Sequence, residues 1–283
     1  MNGWGGENEY LIAGNGAIYP LADLGITVTG LGELPVEYVT STGHRQHGYT
    51  VEDWTLSGRT LSLQFTPVVR GRSAFWAKRQ VLINALSPVD GAVTYRRVLP
   101  GGERRDIQGW AKGLAMPPGA DGLHFPVSFS LECPDPSWLD PAVRTLNIQH
   151  SNVELTYPIT YPITFGIDGI GSGIALNNGN WRSYPIIAVV GPFEWVALSN
   201  ETTGAMFSIQ AQHQVGQTTV IDLAPGRQTI TRDGENLFNM LGAGSNLVDW
   251  YLRPGENFIS VSSREDTDDS SVALTYYDRY IAL

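Results

Sequence analysis

Cysteine is nearly missing from this chain: among 283 residues only Cys133 carries a thiol. A single thiol excludes an intrachain disulfide framework and a cysteine-rich zinc site. Charge is thin as well. Only 16% of residues are charged, and cations are the scarcer sign, 18 against 28 acids, for a net charge of −10. That balance argues against a nucleic-acid binder, because phosphate contact needs clustered positive charge. No run approaches the roughly 18 apolar residues of a membrane span. The opening MNGWGGENEY lacks a basic segment followed by an apolar one. The expectation is a soluble product, made and kept in the cytoplasm unless lysis or a dedicated machine releases it.

What the chain has in quantity is glycine (32) and proline (17), with 42% hydrophobic residues. That much apolar content disfavours disorder. The turn formers, with little Ala/Glu/Lys-rich sequence, point to many short strands rather than a helical bundle. The length suits one large or two ordinary domains. The boundary falls in Cys133-Pro-Asp-Pro-Ser-Trp-Leu-Asp-Pro141. Each proline removes a backbone donor and pushes the preceding residue toward an extended conformation, so no helix or central strand is expected there. The domains are read as 1–136 and 137–283. Residues 1–141 hold 11 basic and 14 acidic residues, and residues 142–283 hold 7 and 14, so neither part is polybasic.

In the first part, Leu61, Leu63 and Phe65 alternate with polar residues, the period of a half-buried strand. A helix is predicted over about 72–86, with Ala74, Phe75, Val81, Leu82, Ala85 and Leu86 on one stripe and Ser73 as N-cap. Val93–Leu99 and Arg104–Trp110 flank Pro100-Gly-Gly102 as a β-hairpin. Leu114–Leu123 reads as a loop, and Phe125–Cys133 alternates as a last strand. The fold class is mainly β: an antiparallel N-terminal domain with one packed helix, then a C-terminal β-sandwich of jelly-roll type. Eleven candidate strands follow the boundary, at Val143–His150, Tyr157–Phe165, Ala175–Leu176, Ser183–Val190, Glu194–Asn200, Met206–Val215, Thr218–Asp222, Gln228–Arg232, Val248–Tyr251, Asn257–Ser262 and Val272–Tyr280. Their spacing suits a sandwich, and a short helical turn is allowed at Glu235–Leu241.

Chemistry-bearing motifs are weak. His44 and His47 are three apart in a loop, too few for zinc. Glu265–Ser270 lacks EF-hand spacing and reads as a solvated acidic loop. Gly14-Asn-Gly16 and Gly169-Ile-Gly-Ser-Gly173 lack the setting of a phosphate cradle and read as turns. Cys133 has no neighbouring His or basic residue in sequence and reads as an inward-facing strand residue. No catalytic, metal or cofactor residue is assigned. Paired carboxylates of a glycan-active enzyme have no local motif to support them. Two candidate contacts stand. Arg96, Arg97, Arg104 and Arg105 flank the hairpin loop and read either as edge-strand protection or as a charged contact with a neighbouring subunit. Trp181, Tyr184 and Trp250, with Trp195 and Tyr251 nearby, read either as core and interface residues or as platforms for sugar rings.

The second part resembles the C-terminal domain of siphophage distal tail proteins. The resemblance lies in Gly179-Asn-Trp-Arg-Ser-Tyr-Pro-Ile-Ile187, Gly191-Pro192, Asn200-Glu-Thr-Thr-Gly204, Val220-Ile-Asp222, Thr229-Ile-Thr-Arg-Asp-Gly234, Leu252-Arg-Pro-Gly-Glu-Asn-Phe-Ile259 and the closing Val272–Tyr280. The first part is similar more loosely, through Arg59, the helix, the hairpin and the proline-rich link; residues 1–50 carry no match. The resemblance implies a virion protein of the tail tip, made in the host cytoplasm. Its N-terminal domains would close into a hexameric ring, a baseplate hub continuing the tail tube, with DNA passing only in transit. Galectin-like sandwiches would point outward. Implied partners are the major tail tube protein, the tape measure protein, a tail-associated lysin-type hub protein, and receptor-binding or fibre proteins. It implies neither an enzyme nor membrane insertion nor a cofactor. The alternative is a carbohydrate-binding virion protein touching host wall glycans through the sandwich.

Overall fold

The computed structural model describes residues 8–24, 27–31, 34–65, 71–117, 126–149, 171–264, 267 and 269–283. Two compact units divide the chain: Met1–Pro141 with Tyr280–Leu283, and Ala142–Arg279. The predicted strand Tyr157–Phe165, Gly169 and the acidic residues 265, 266 and 268 lie outside the described residues.

The first unit runs β1 Asn8–Ile12, β2 Ile18–Pro20, α1 Leu21–Leu24, β3 Thr27–Gly30, β4 Val36–Ser41, β5 Thr50–Leu56 and β6 Arg59–Phe65, then α2 Arg72–Ala85, β7 Val93–Val98, β8 Arg104–Ala115, β9 Val127–Cys133 and the start of β10 Trp138–Gln149. The long strand β8 organises it. Its first half pairs with β7, and its second half pairs with β9 across a register shift between Lys112 and Ala115. Gly113 supplies the positive φ of 69° inside that shift. Two ladders leave β8, one through β7 and β1 to β2, the other through β9 and β6 to β3. The predicted alternation is present: Leu61, Leu63, Val127, Phe129, Leu131 and Cys133 are buried, and Ser62 and Gln64 are exposed. Together with Leu82, Tyr95 and Trp138 they form one core.

Several local expectations are corrected. The helix buries Leu82, Ala85 and Leu86, but Ala74 and Val81 face solvent and the N-cap is Gly71, not Ser73. A stripe drawn from apolar identity alone was one position too wide. The loop expected from Leu114 begins two residues later, because β8 runs to Ala115. The hairpin 93–110 is not at an edge: β1 returns to pair with β7 along Asn8–Ile12, a long-range pairing that local pattern does not encode. β10 passes through Pro141. Its pairing with β8 is confined to Leu139↔Asp106, so the missing N–H of Pro141 falls after that ladder has ended.

The second unit contains β11 Gly171–Asn177, β12 Ile186–Val190, β13 Trp195–Asn200, β14 Ala205–Ile209, β15 Thr218–Asp222, β16 Thr229–Arg232, β17 Glu235–Asn236, β18 Gly255–Arg264 and β19 Ser271–Tyr280. One sheet has the order β17-β16-β15-β12-β19 with β10 beside β19; the other has the order β11-β18-β13-β14. Their inner faces share a core that includes Ile187, Val189, Val196, Leu198, Phe207, Ile221, Trp250, Ile259 and Leu274, the arrangement of a β-sandwich. A 3-10 turn at Phe238–Met240 occupies the place of the allowed helical turn. Val248–Tyr251 is not a strand. It is a turn leading to Leu252, which bridges Ser183. Trp250 points into the core without any sheet partner, whereas Val248 is exposed.

Candidate functional site

The loops at one end of the second unit enclose an open cleft of about 440 Å³. Asn180, Trp181 and Arg182 come from the β11–β12 connection, Thr202 and Thr203 from the β13–β14 turn, and Tyr251, Arg253 and Pro254 from the segment before β18. Among the described residues the lining therefore holds two guanidinium groups and no carboxylate. Arg182 lies 4.6 Å over the Tyr251 ring and 5.9 Å from the Trp181 ring. Behind it, Tyr184 meets Tyr251 edge-on at 6.3 Å, and Arg279 lies 5.2 Å over Tyr184. Cations and aromatic rings thus alternate, each cation over the negative face of a ring. Burial lowers the Arg279 guanidinium to about 10 and raises the Tyr184 phenol, while Arg182, which donates to that phenol, opposes the rise.

Three buried asparagines fix these loops. Asn177 donates through Nδ2 to the carbonyls of Trp181 (2.8 Å) and Leu252 (3.2 Å) and accepts from the Gly179 amide (2.9 Å). Asn200 donates to the Tyr251 carbonyl (2.9 Å) and accepts from the Thr202 amide (3.1 Å). Asn257 donates to the Arg253 carbonyl and accepts from the Arg253 amide, both at 2.8 Å. A buried amide is costly unless its hydrogen bonds are made. Here each amide makes them to the backbone of a cleft residue or its neighbour, so packing the sandwich also positions the cleft. The i to i+2 acceptor turns at Asn177 and Asn200 are the sequence signal that would have pointed here.

Of the aromatic candidates, Trp181 lines the cleft and half-buried Tyr184 supports it. Trp250 does not. It is 0% exposed in the sandwich core, edge-on to Phe207 at 5.9 Å, and offers no surface to a ligand. Arg182, Arg253 and the threonines fall inside the runs that carry the resemblance, but the sequence gives them no site role, because lone cations in turns look like ordinary surface.

The arginines of the first unit are mostly committed within the chain. Arg96 makes a two-point pair with its cross-strand partner Asp106 at 2.7 and 2.6 Å. Arg97 lies 3.9 Å from Glu9. Arg105 is buried, 3.7 Å over the Tyr280 ring and 3.7 Å from Asp140. Arg104 alone of the four is exposed. Edge protection does not describe them, since β7 and β8 are interior strands.

The exposed apolar surface of that unit is elsewhere. The β4–β5 hairpin exposes Tyr38 (60%), Tyr49 (65%) and Trp54 (41%), with Val39 and Val51 beside them. Among the described residues its strands pair only with each other. His44 and His47 sit exposed in its connecting loop. Among the described residues no three His, Cys, Asp or Glu side chains gather as a metal-holding group, and no helix is long and apolar enough to cross a membrane.

Residues 178–280 match the family of the siphovirus-type tail component, C-terminal domain. No curated protein matches the chain by sequence. Among solved structures, the Dit (gp 19.1) protein of phage SPP1, described as a paradigm of the hub adsorption apparatus in phages infecting Gram-positive hosts, aligns with a TM-score of 0.65 at 14% identity, over 96% of this chain and 98% of that one. A chain of the phage P2 baseplate in its activated conformation aligns with a TM-score of 0.51 at 9% identity, over 98% of both. Over residues 178–280 the chain is therefore similar to the C-terminal domain of the siphovirus-type tail components, and its fold aligns with that of a phage Dit hub protein nearly end to end.

Proposed function

We propose that this protein is a structural hub of the phage tail tip, six copies of which close into a ring that joins the tail tube to the adsorption apparatus and leaves a channel for DNA. The β4–β5 hairpin carries this reading. A lone two-stranded hairpin is marginal in water, and one exposing two tyrosines, a tryptophan and two valines needs a partner surface. The ladder ends support it as well: β2 and β3 each have a single strand partner among the described residues. A cyclic assembly satisfies such rims by mating one subunit's edge with another's until none is left. The ring would stack on the tail tube and tape measure proteins on one side and hold fibre, receptor-binding or lysin-type proteins on the other. Its work is binding, with no catalytic step. Light scattering should give about six times the 30.9 kDa chain mass, and negative-stain images should show annuli with a central hole. Tyr38→Lys with Trp54→Lys should yield folded single copies. A wild-type chain that stays single at high concentration overturns the reading.

A second reading, contact with host wall glycans through the sandwich, draws support from Trp181 and Tyr251 sharing the cleft.

A further inference from the structure

The cleft of the second unit has a charge that the unit as a whole does not. Residues 142–283 hold 7 basic and 14 acidic residues, yet among the described residues the cleft lining contains Arg182 and Arg253 and no acid. The adjoining Glu201 carboxylate is turned to Ser260, whose hydroxyl donates to it at 2.5 Å. Among the described residues Arg253 makes no ion pair, and its backbone is held at both N–H and C=O by buried Asn257. Arg182 is stacked on Tyr251. Stacking, with the hydrogen bond to Tyr184, holds the Arg182 guanidinium plane in place before a ligand arrives, so little entropy remains to be lost on pairing. Trp181 adds an apolar wall of the kind a sugar ring packs on, and the Thr202 hydroxyl, which accepts from the Phe258 amide at 3.0 Å, keeps its proton to donate.

We propose that this cleft binds an anionic polysaccharide: a sugar unit against Trp181, with its phosphate or carboxylate held by Arg182 and Arg253. The proposal rests on the glycan-contact reading and adds to it the ligand's charge and the residues that read it. Fork-shaped guanidinium donors match the two oxygens of a carboxylate or phosphate, and a positive cleft on an acidic module favours anions by local field. An acidic peptide would satisfy the cations but leave the tryptophan wall without a ring to pack on.

Calorimetry on the full chain tests this with four probes: oligogalacturonate for sugar carboxylates, phosphomannan for sugar phosphates, dextran for neutral sugar and polyglutamate for acidic peptide. Binding of either anionic glycan should weaken as salt rises and fall by at least about tenfold in Arg182→Gln and in Arg253→Gln, with both variants folded at the assay temperature and of unchanged mass. Preference for one anionic glycan identifies its source of charge. Dextran binding as well as the anionic glycans overturns the proposal and leaves the glycan reading standing. No binding by any glycan overturns both. Polyglutamate binding equally well, or affinity that survives both substitutions, overturns the proposal.

Discussion

Asn257 and Arg253 exchange two hydrogen bonds, side-chain amide to backbone N–H and C=O, both at 2.8 Å. Asn257 is 0% exposed, and it also donates to the carbonyls of Gly255 (3.1 Å) and Ala175 (3.4 Å). One buried amide therefore ties the turn before β18 to strand β11. The cleft and the sandwich core are one construction: the loop carrying Arg253 cannot shift without stranding an amide in an apolar interior.

Asn257→Ala should destabilise the protein by about 2–3 kcal/mol, the cost of leaving two buried backbone groups unpaired. Chemical denaturation with fluorescence from Trp250 in the core reads this directly. Asn257→Asp keeps the acceptor for the Arg253 amide but loses the donors, so it should be destabilising too. A variant with wild-type stability would show that the loop is held by other contacts.

Gly179 sits where a side chain has no room. A Cβ there would lie 2.0 Å from the Arg279 carbonyl oxygen and 2.6 Å from its amide nitrogen, and that same carbonyl accepts from the Trp181 amide at 3.0 Å. Both obstructing atoms are backbone of β19, which cannot rotate away. Gly179→Ala should cost about 3 kcal/mol or more and should also disturb the cleft, since Trp181 is two residues on. A melting temperature within about a degree of wild type would refute the close approach.

The parts of this fold that follow from period and punctuation were legible in the sequence. Leu61, Leu63, Phe129 and Leu131 announce strands because one face of an antiparallel ladder is buried, and Pro100-Gly-Gly102 announces the turn between β7 and β8. What was not legible came from distant chain segments. Arg96 and Arg105 read as edge residues only because nothing in their neighbourhood reveals that β1 returns to cover β7. Trp250 and Trp181 are indistinguishable as letters, and the sandwich buries one wholly and leaves the other in a cleft. The cleft cations were missed because their meaning depends on three loops converging, which buried Asn177, Asn200 and Asn257 arrange.

Cys133 should be inert in the native protein. It is 1% exposed, it pairs in register with Arg59, and burial pushes its thiol up to about 12, the Arg59 charge opposing only in part. The thiolate is the reactive form, so a thiol-disulfide reagent at about pH 8 should label none of it without denaturant and one equivalent per chain with it. Rapid native labelling would mean that the β6–β9 ladder opens readily.

His213 makes the second unit sensitive to mild acid. It is 2% exposed, stacked on Phe193 at 4.1 Å, with Nδ1 bonded to the Ala211 carbonyl at 2.8 Å and Nε2 to the Thr219 hydroxyl. Burial lowers its pKa below the usual 6.5, the nearby Arg232 charge adds to the fall, and the Ala211 carbonyl opposes it. In the unfolded chain the imidazole takes its proton near pH 6.5; in the folded protein it resists until a lower pH. Its contribution to stability is therefore complete above about pH 6.5 and is lost as pH falls through the lowered folded value. Melting temperatures at about pH 7.5 and about pH 5 should show a larger drop for wild type than for His213→Gln, which has no imidazole to charge. Carboxylates titrating lower in the range act on both proteins alike, so the difference between the two drops isolates the imidazole. Parallel drops would show that His213 accepts its proton as easily folded as unfolded, and the Phe193 stack would then be holding a cation.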